Sequence, residues 1–132
     1  MPAPIVFSLV ESPQHPNFSA LYRRLGLEER RLHSLRETNK LLKKQAPVLL
    51  VAEFFYGYAS NYAGANVSNL DVVLSTLKRY APHARVVVLV DRSEQHYVDR
   101  LSERFPLEAV LTHPVTETQM EEIICGFGLG DS

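Results

Sequence analysis

Two uninterrupted apolar runs, Pro47 to Ala52 (PVLLVA) and Arg85 to Val90 (RVVVLV), constrain this chain more than any other feature. A strand with one wet face alternates apolar and polar residues. Continuous runs with β-branched residues belong instead to strands covered on both faces. Such strands are typically parallel, and parallel neighbours need crossover connections, usually helical.

The rest of the chain supplies matching elements. Ile5 to Val10 and Ala109 to Thr112 read as shorter strands, and Arg31 to Arg36 (RLHSLR) as a fifth with half-buried alternation. Phe18, Leu21, Tyr22 and Leu25 follow helical spacing, with Asn17 as N-cap and Gly26 as the stop. Thr38 to Gln45 reads as a short helix. Leu70, Val73, Leu74 and Leu77 form an apolar stripe after Ser68 and Asn69, either of which is placed to cap it. Tyr97, Leu101 and Phe105 form another, opened by Ser93. Thr116 to Gln119 fits a capping box, followed by Met120, Ile123 and Ile124. Strand and helix thus alternate five times, predicting a five-stranded parallel sheet flanked by helices on both faces. The 132 residues suit one domain, expected over residues 1–125 with a flexible C-terminal tail at 126–132, from which Phe127 is placed to tuck back.

Composition narrows the function classes. Cys125, the one cysteine, cannot form an internal disulfide, so a reducing cytoplasm is the expected setting; it reads as a buried helix residue rather than a reactive thiol. No apolar stretch reaches the roughly 18–20 residues that span a bilayer. The opening MPAPIVFSLVES lacks a basic leader and does not read as a signal peptide. Net charge is −1 but uneven: Arg23 to Lys44 holds eight basic and three acidic residues, and Asp91 to the end three basic and nine acidic. That is either solvated helix faces or a basic patch for an acidic partner. Nucleic acid calls for a stronger positive balance, so no direct nucleic-acid partner is expected.

In parallel sheets, ligands and chemistry gather at the carboxyl ends of the strands. Glu11, Glu53, Asp91 and His113 lie at those ends, and the topology would bring them into one crevice. Here the chain resembles a known family. Pro47 to Glu53 (PVLLVAE) is similar to P-D-L-[IVL]-[IVL]-L-D of response-regulator receiver domains, whose final Asp accepts a phosphoryl group. Ala109 to Val115 (AVLTHPV) is similar to D-Y-L-x-K-P-[FV], whose Lys contacts the phosphoryl oxygens. Arg85 to Arg92 (RVVVLVDR) is similar to the strand that ends in the switch hydroxyl. The resemblance runs from about Ile5 to Ile124 and implies the flavodoxin-like (βα)5 fold.

The departures matter as much. Against the family pattern, Glu53 stands at the phosphoacceptor, His113 at the Lys, Val90 at the switch hydroxyl and Val110 at the aromatic rotamer switch. The acidic metal pair maps to Val10 and Glu11, leaving one carboxylate. Phosphoryl transfer needs metal and cation to neutralise transition-state charge. The resemblance therefore implies a degenerate pseudo-receiver, not an enzyme, with no catalytic residue and no phosphorylation chemistry. It also implies a cis His113–Pro114 bond, as in the family's Lys–Pro.

Two readings are open for most of these positions. Glu53 is either a permanent stand-in for the phosphorylated state, paired with His113, or a side chain reaching solvent. Glu11, Glu53 and Asp91 are the carboxylates a hard cation such as Mg²⁺ would use, yet no metal is expected, and Asp91 serves equally as an N-cap. His15, His33, His83 and His96 lack ligand spacing and read as surface residues. The aromatic stretch Phe54 to Asn66 either contacts a partner, through Tyr56, Tyr58 and Tyr62, or leaves its tyrosines decorating a loop.

The leading expectation is a regulatory module of signal transduction that binds a protein partner or a second copy. The resemblance puts that contact on the fourth and fifth helices and fifth strand, here Arg100, Leu111, Glu117 and Glu121. No effector domain follows, so the domain is expected to stand alone in this chain. The first alternative is a small flavodoxin-like enzyme or ligand-binding domain using Glu53, Asp91 and His113. Because Glu11 to Pro16 contains no glycine to cradle phosphate, no flavin or nucleotide cofactor is expected. The second alternative is an unconventional phosphoacceptor at Glu53.

Overall fold

A computed structural model describes residues 3–56 and 68–129. It contains one parallel sheet of five strands: β1 (Ile5–Leu9), β2 (Glu28–Leu32), β3 (Leu49–Glu53), β4 (Arg85–Val90) and β5 (Ala109–Thr112). The order is β2-β1-β3-β4-β5, the flavodoxin-like order expected. Between them run α1 (Ser19–Arg24), α2 (Leu35–Leu42), α3 (Asp71–Tyr80), a 3₁₀ turn (Arg92–Tyr97) leading into α4 (Val98–Ser102), and α5 (Glu117–Gly126). Among the described residues no helix is long and apolar enough to cross a membrane.

The apolar runs are continuous because each strand feeds two cores. Phe7, Leu9, Leu50, Ala52, Val86, Val88 and Val90 pack with α2, α3 and α4, while Val6, Leu49, Val51, Val87 and Leu89 pack with α1 and α5. Every β3 residue is buried. Each such aliphatic side chain contributes about 1.5–3 kcal/mol against exposure.

Differences from the sequence reading fall at the weakly patterned edge. The second strand is Glu28–Leu32, not Arg31 to Arg36, because pairing with β1 sets it rather than an apolar face: only Leu32 is buried. Gly26, at φ 81°, turns the chain out of α1, and Glu29 pins the strand by accepting from the Ser8 hydroxyl at 2.6 Å and from the Ser19 hydroxyl. Helix α2 begins at Leu35, not Thr38: the Ser34 hydroxyl accepts from the Glu37 amide at 3.0 Å. The cap of the 3₁₀ turn is Asp91, whose carboxylate accepts from the Ser93 amide at 3.0 Å. The capping box of Thr116 and Gln119 is present as expected, and His113–Pro114 is cis.

At the C-terminal end Phe127 tucks back as expected, and the expected burial of Cys125 does not hold. The boundary at residue 125 falls inside α5, and Phe127 and Leu129 pack against the α1–α5 core, with Arg85 over the Phe127 ring at 5.4 Å. Contacts with the domain thus continue into the expected tail. Cys125 is exposed rather than buried, since Met120 and Ile124 already define the inward face of α5.

Candidate functional site

The chain crosses from β1 out to β2 and back to β3, so the switch point lies between the carboxyl ends of β1 and β3. Glu53 ends β3 there. Leu49 and Val51 face the α1–α5 side, and the two-residue period carries Glu53 to that side too, beneath the loop joining β1 to α1. Its carboxylate is fully buried. Oε1 accepts from the Glu11 amide at 2.9 Å and the Ser12 amide at 3.0 Å, while Oε2 accepts from the Ser12 hydroxyl. His15 Nδ1 approaches Oε1 at 3.3 Å, a close contact poorly aligned for a hydrogen bond. Burial pushes the Glu53 pKa up, but His15, the Ser12 hydroxyl and the Glu11 amide outweigh it and hold it below the ordinary carboxylate value.

Neither sequence reading of Glu53 survives this geometry. It does not pair with His113, and it does not reach solvent; its partner is His15, expected at the surface but itself buried. The groups that meet the Glu53 carboxylate all come from the β1–α1 loop.

Asn69 joins this corner together. Its Nδ2 donates to Glu11 Oε1 and to the Glu53 carbonyl, each at 2.8 Å, and its Oδ1 accepts from the Phe55 amide at 2.7 Å. Burial raises the Glu11 pKa, opposed by the Asn69 hydrogen bond and aided by the neighbouring Glu53 charge. Asn69 is therefore no helix cap. The α3 N-terminus is organised by Ser68, whose hydroxyl accepts from the Leu70 amide at 3.1 Å, and by Asp71, which accepts from the Ser68 amide at 2.6 Å and pairs with Arg104 at 3.1 Å.

The remaining crevice positions form a separate group. Asp91 is exposed, and the Ser93 hydroxyl and amide lower its pKa. Val90 is fully buried, and its carbonyl accepts from the His113 amide at 3.0 Å. His113 is half-buried, its Nδ1 without a hydrogen-bond partner among the described residues, and Pro114 is exposed. Among the described residues no hydrogen bond or ion pair links Glu53 to Asp91 or His113. By hydrogen bonding, the strand-end positions thus fall into two adjoining corners. No three His, Cys, Asp or Glu residues among those described are grouped to share a metal ion.

The partner-face candidates also divide. Tyr56 stacks on Tyr97 with centroids 3.7 Å apart and planes 9° apart; Arg100 lies over both rings and donates to the Tyr56 hydroxyl at 3.1 Å. The Tyr56 amide donates to Glu94 at 3.1 Å. Tyr58 and Tyr62 lie outside the described residues. Leu111 is half-buried on β5, beside the exposed Val110. Glu117 and Glu121 both bind Arg24 of α1, at 3.0–3.1 Å, so their charge is engaged toward α1 rather than α4.

Sequence reasoning missed Ser12, His15 and Asn69. A signal for them existed. The switch-point rule selects the loops after strands as well as the last strand residues, and these three are polar residues in the β1–α1 and β3–α3 connections.

Sequence comparison matches the chain to no family profile and to no curated protein. Structural comparison does find relatives of this shape. A response regulator receiver domain protein from Clostridium thermocellum is 19% identical, covers 94% of this chain and 92% of its own, and has a TM-score of 0.68. A response regulator receiver protein from Sinorhizobium medicae is 14% identical over the same shares, also with a TM-score of 0.68. The pilus assembly protein CpaE from Caulobacter crescentus is 18% identical over 98% of this chain and 97% of its own, with a TM-score of 0.63. At such identities the likeness is one of architecture, and the architecture of this chain is the response-regulator receiver fold.

Proposed function

We propose that this chain is a regulatory receiver-like domain that acts by binding a protein partner, without being phosphorylated and without catalysing a reaction. One observation carries the reading: the carboxylate at the acceptor position is already occupied by its own chain. A phosphoacceptor must present a free oxygen in line with the incoming phosphoryl group, beside a metal ion that neutralises developing charge. Glu53 is buried, and both its oxygens accept hydrogen bonds from the β1–α1 loop. At the neighbouring positions, the backbone carbonyl of Val90 and the imidazole of His113, its Nδ1 without a hydrogen-bond partner among the described residues, offer no substitute for a hydroxyl and an ammonium.

The partner surface we favour centres on Tyr56, Tyr97 and Arg100, with Leu111 and Val110 on the edge strand beside it. Tyrosine and arginine supply most of the energy of typical protein interfaces, and this cluster is already ordered by stacking. The single exposed thiol agrees with a cytoplasmic setting.

Acetyl phosphate or beryllofluoride with Mg²⁺, followed by intact mass and amide NMR, tests the central claim. The expected result is an unchanged mass and unchanged Glu11, Ser12 and Glu53 resonances. A phosphoryl adduct on Glu53 would overturn it.

A further inference from the structure

Helix α2 turns Thr38 and Leu42 into the core and leaves Arg36, Lys40, Lys43 and Lys44 exposed on and just beyond its outer face. Arg36 and Lys40 stand one turn apart on α2, about 6 Å along its axis, and Lys43 and Lys44 follow at its C-terminal end, so the four cations form one basic strip. The other basic residues nearby are mostly spent: Arg24 on Glu117 and Glu121, Arg30 on Glu28, and Arg31 on Glu29. None of these four cations makes an ion pair among the described residues; Glu37 is the one acid between Arg36 and Lys44.

We propose that this stripe is a docking site for an acidic segment of a partner protein, one that presents carboxylates at i, i+4 and i+7 of a helix. It lies apart from the Tyr56–Tyr97–Arg100 surface and stands or falls separately from it. Two observations favour a compact peptide over an extended polyanion. The apolar side of α2 is buried, so nothing on it can enter a bilayer. The chain from Asp91 onward carries nine acids against three bases, and the net charge of the whole protein is −1, so a nucleic acid or anionic membrane reaching past α2 meets repulsion. A short acidic helix matches the stripe without leaving it.

The test is an NMR titration of the full chain with a synthetic alanine-based peptide bearing Glu at that spacing, against the same peptide with Gln. The expected result is saturable shifts confined to the amides around Arg36 to Lys44, no response to the Gln peptide, and weakening as salt is raised. Lys40→Glu with Lys43→Glu should weaken binding about tenfold, and circular dichroism should show the variant folded, since both sites are exposed. Lys40→Gln serves as a milder second variant with a smaller loss. Equal binding by wild type and the double variant, shifts scattered over other basic residues, or no binding at all would overturn the proposal. So would tighter binding of a short DNA duplex or of phosphatidylserine vesicles than of the Glu peptide.

Discussion

Two corners of the same sheet edge handle charged side chains in opposite ways. At the carboxyl ends of β1 and β3, Glu53 is buried and bound by two amides, a hydroxyl and an imidazole, while Asn69 joins both strand ends to the start of α3. At the ends of β4 and β5, Asp91 stays in solvent as a local cap and His113 is held chiefly through its backbone. In one corner the carboxylate is part of the packing; in the other it stays a local, solvent-facing cap. Burying an ionised carboxylate is tolerable only when every lone pair is answered, and an exposed one needs no such support.

Breaking the first corner should cost the most. Glu53→Ala leaves two amides, a hydroxyl and His15 unanswered, and should destabilise the fold by about 3–5 kcal/mol in urea denaturation. A loss below about 1 kcal/mol would show that the carboxylate is incidental. Asn69→Ala removes three hydrogen bonds and should cost about 2–3 kcal/mol, with faster amide exchange at Phe55.

Acid sharpens the comparison further. The folded pKa of Glu53 lies below the ordinary 4.5, so the unfolded chain binds its proton more readily. Its contribution is present above that value and disappears as pH falls through the folded pKa. Glu53→Gln should therefore flatten the acid side of the stability profile, whereas Asp91→Asn should leave most of it. An unchanged slope in Glu53→Gln would count against the buried pair.

The smallest effects belong to the second corner. Asp91→Ala loses one exposed cap and should lower Tm less than Asn69→Ala does. His113→Ala removes a ring nitrogen that has no hydrogen-bond partner among the described residues and should change stability by less than about 1 kcal/mol. A loss at either position rivalling that of Glu53 would erase the distinction between the corners.

Much of this arrangement was legible beforehand and some was not. The strands β4 and β5, the capping box at Thr116 and the cis His113–Pro114 bond all appear where expected. Edge strand β2 did not, because its charged residues carry no apolar period and pairing with β1 sets its register. The start of α2 was readable in the Ser34–Glu37 spacing, a capping signal that the apolar pattern of Leu41 and Leu42 obscured. His15 carried no motif at all: it sits in a short loop flanked by prolines, and burial alone distinguishes it from an ordinary surface histidine.

By itself the sequence determined the layering. Unbroken apolar runs alternating with amphipathic helices admit few solutions besides a covered parallel sheet, because periodicity and burial are local properties of a segment. Only the tertiary structure decided what Glu53 would touch. Its partners come from a loop about forty residues earlier and reach it through the β1–β3 pairing. A carboxylate at a strand end is compatible with solvent, metal, imidazole or backbone amides, and only packing selects among them.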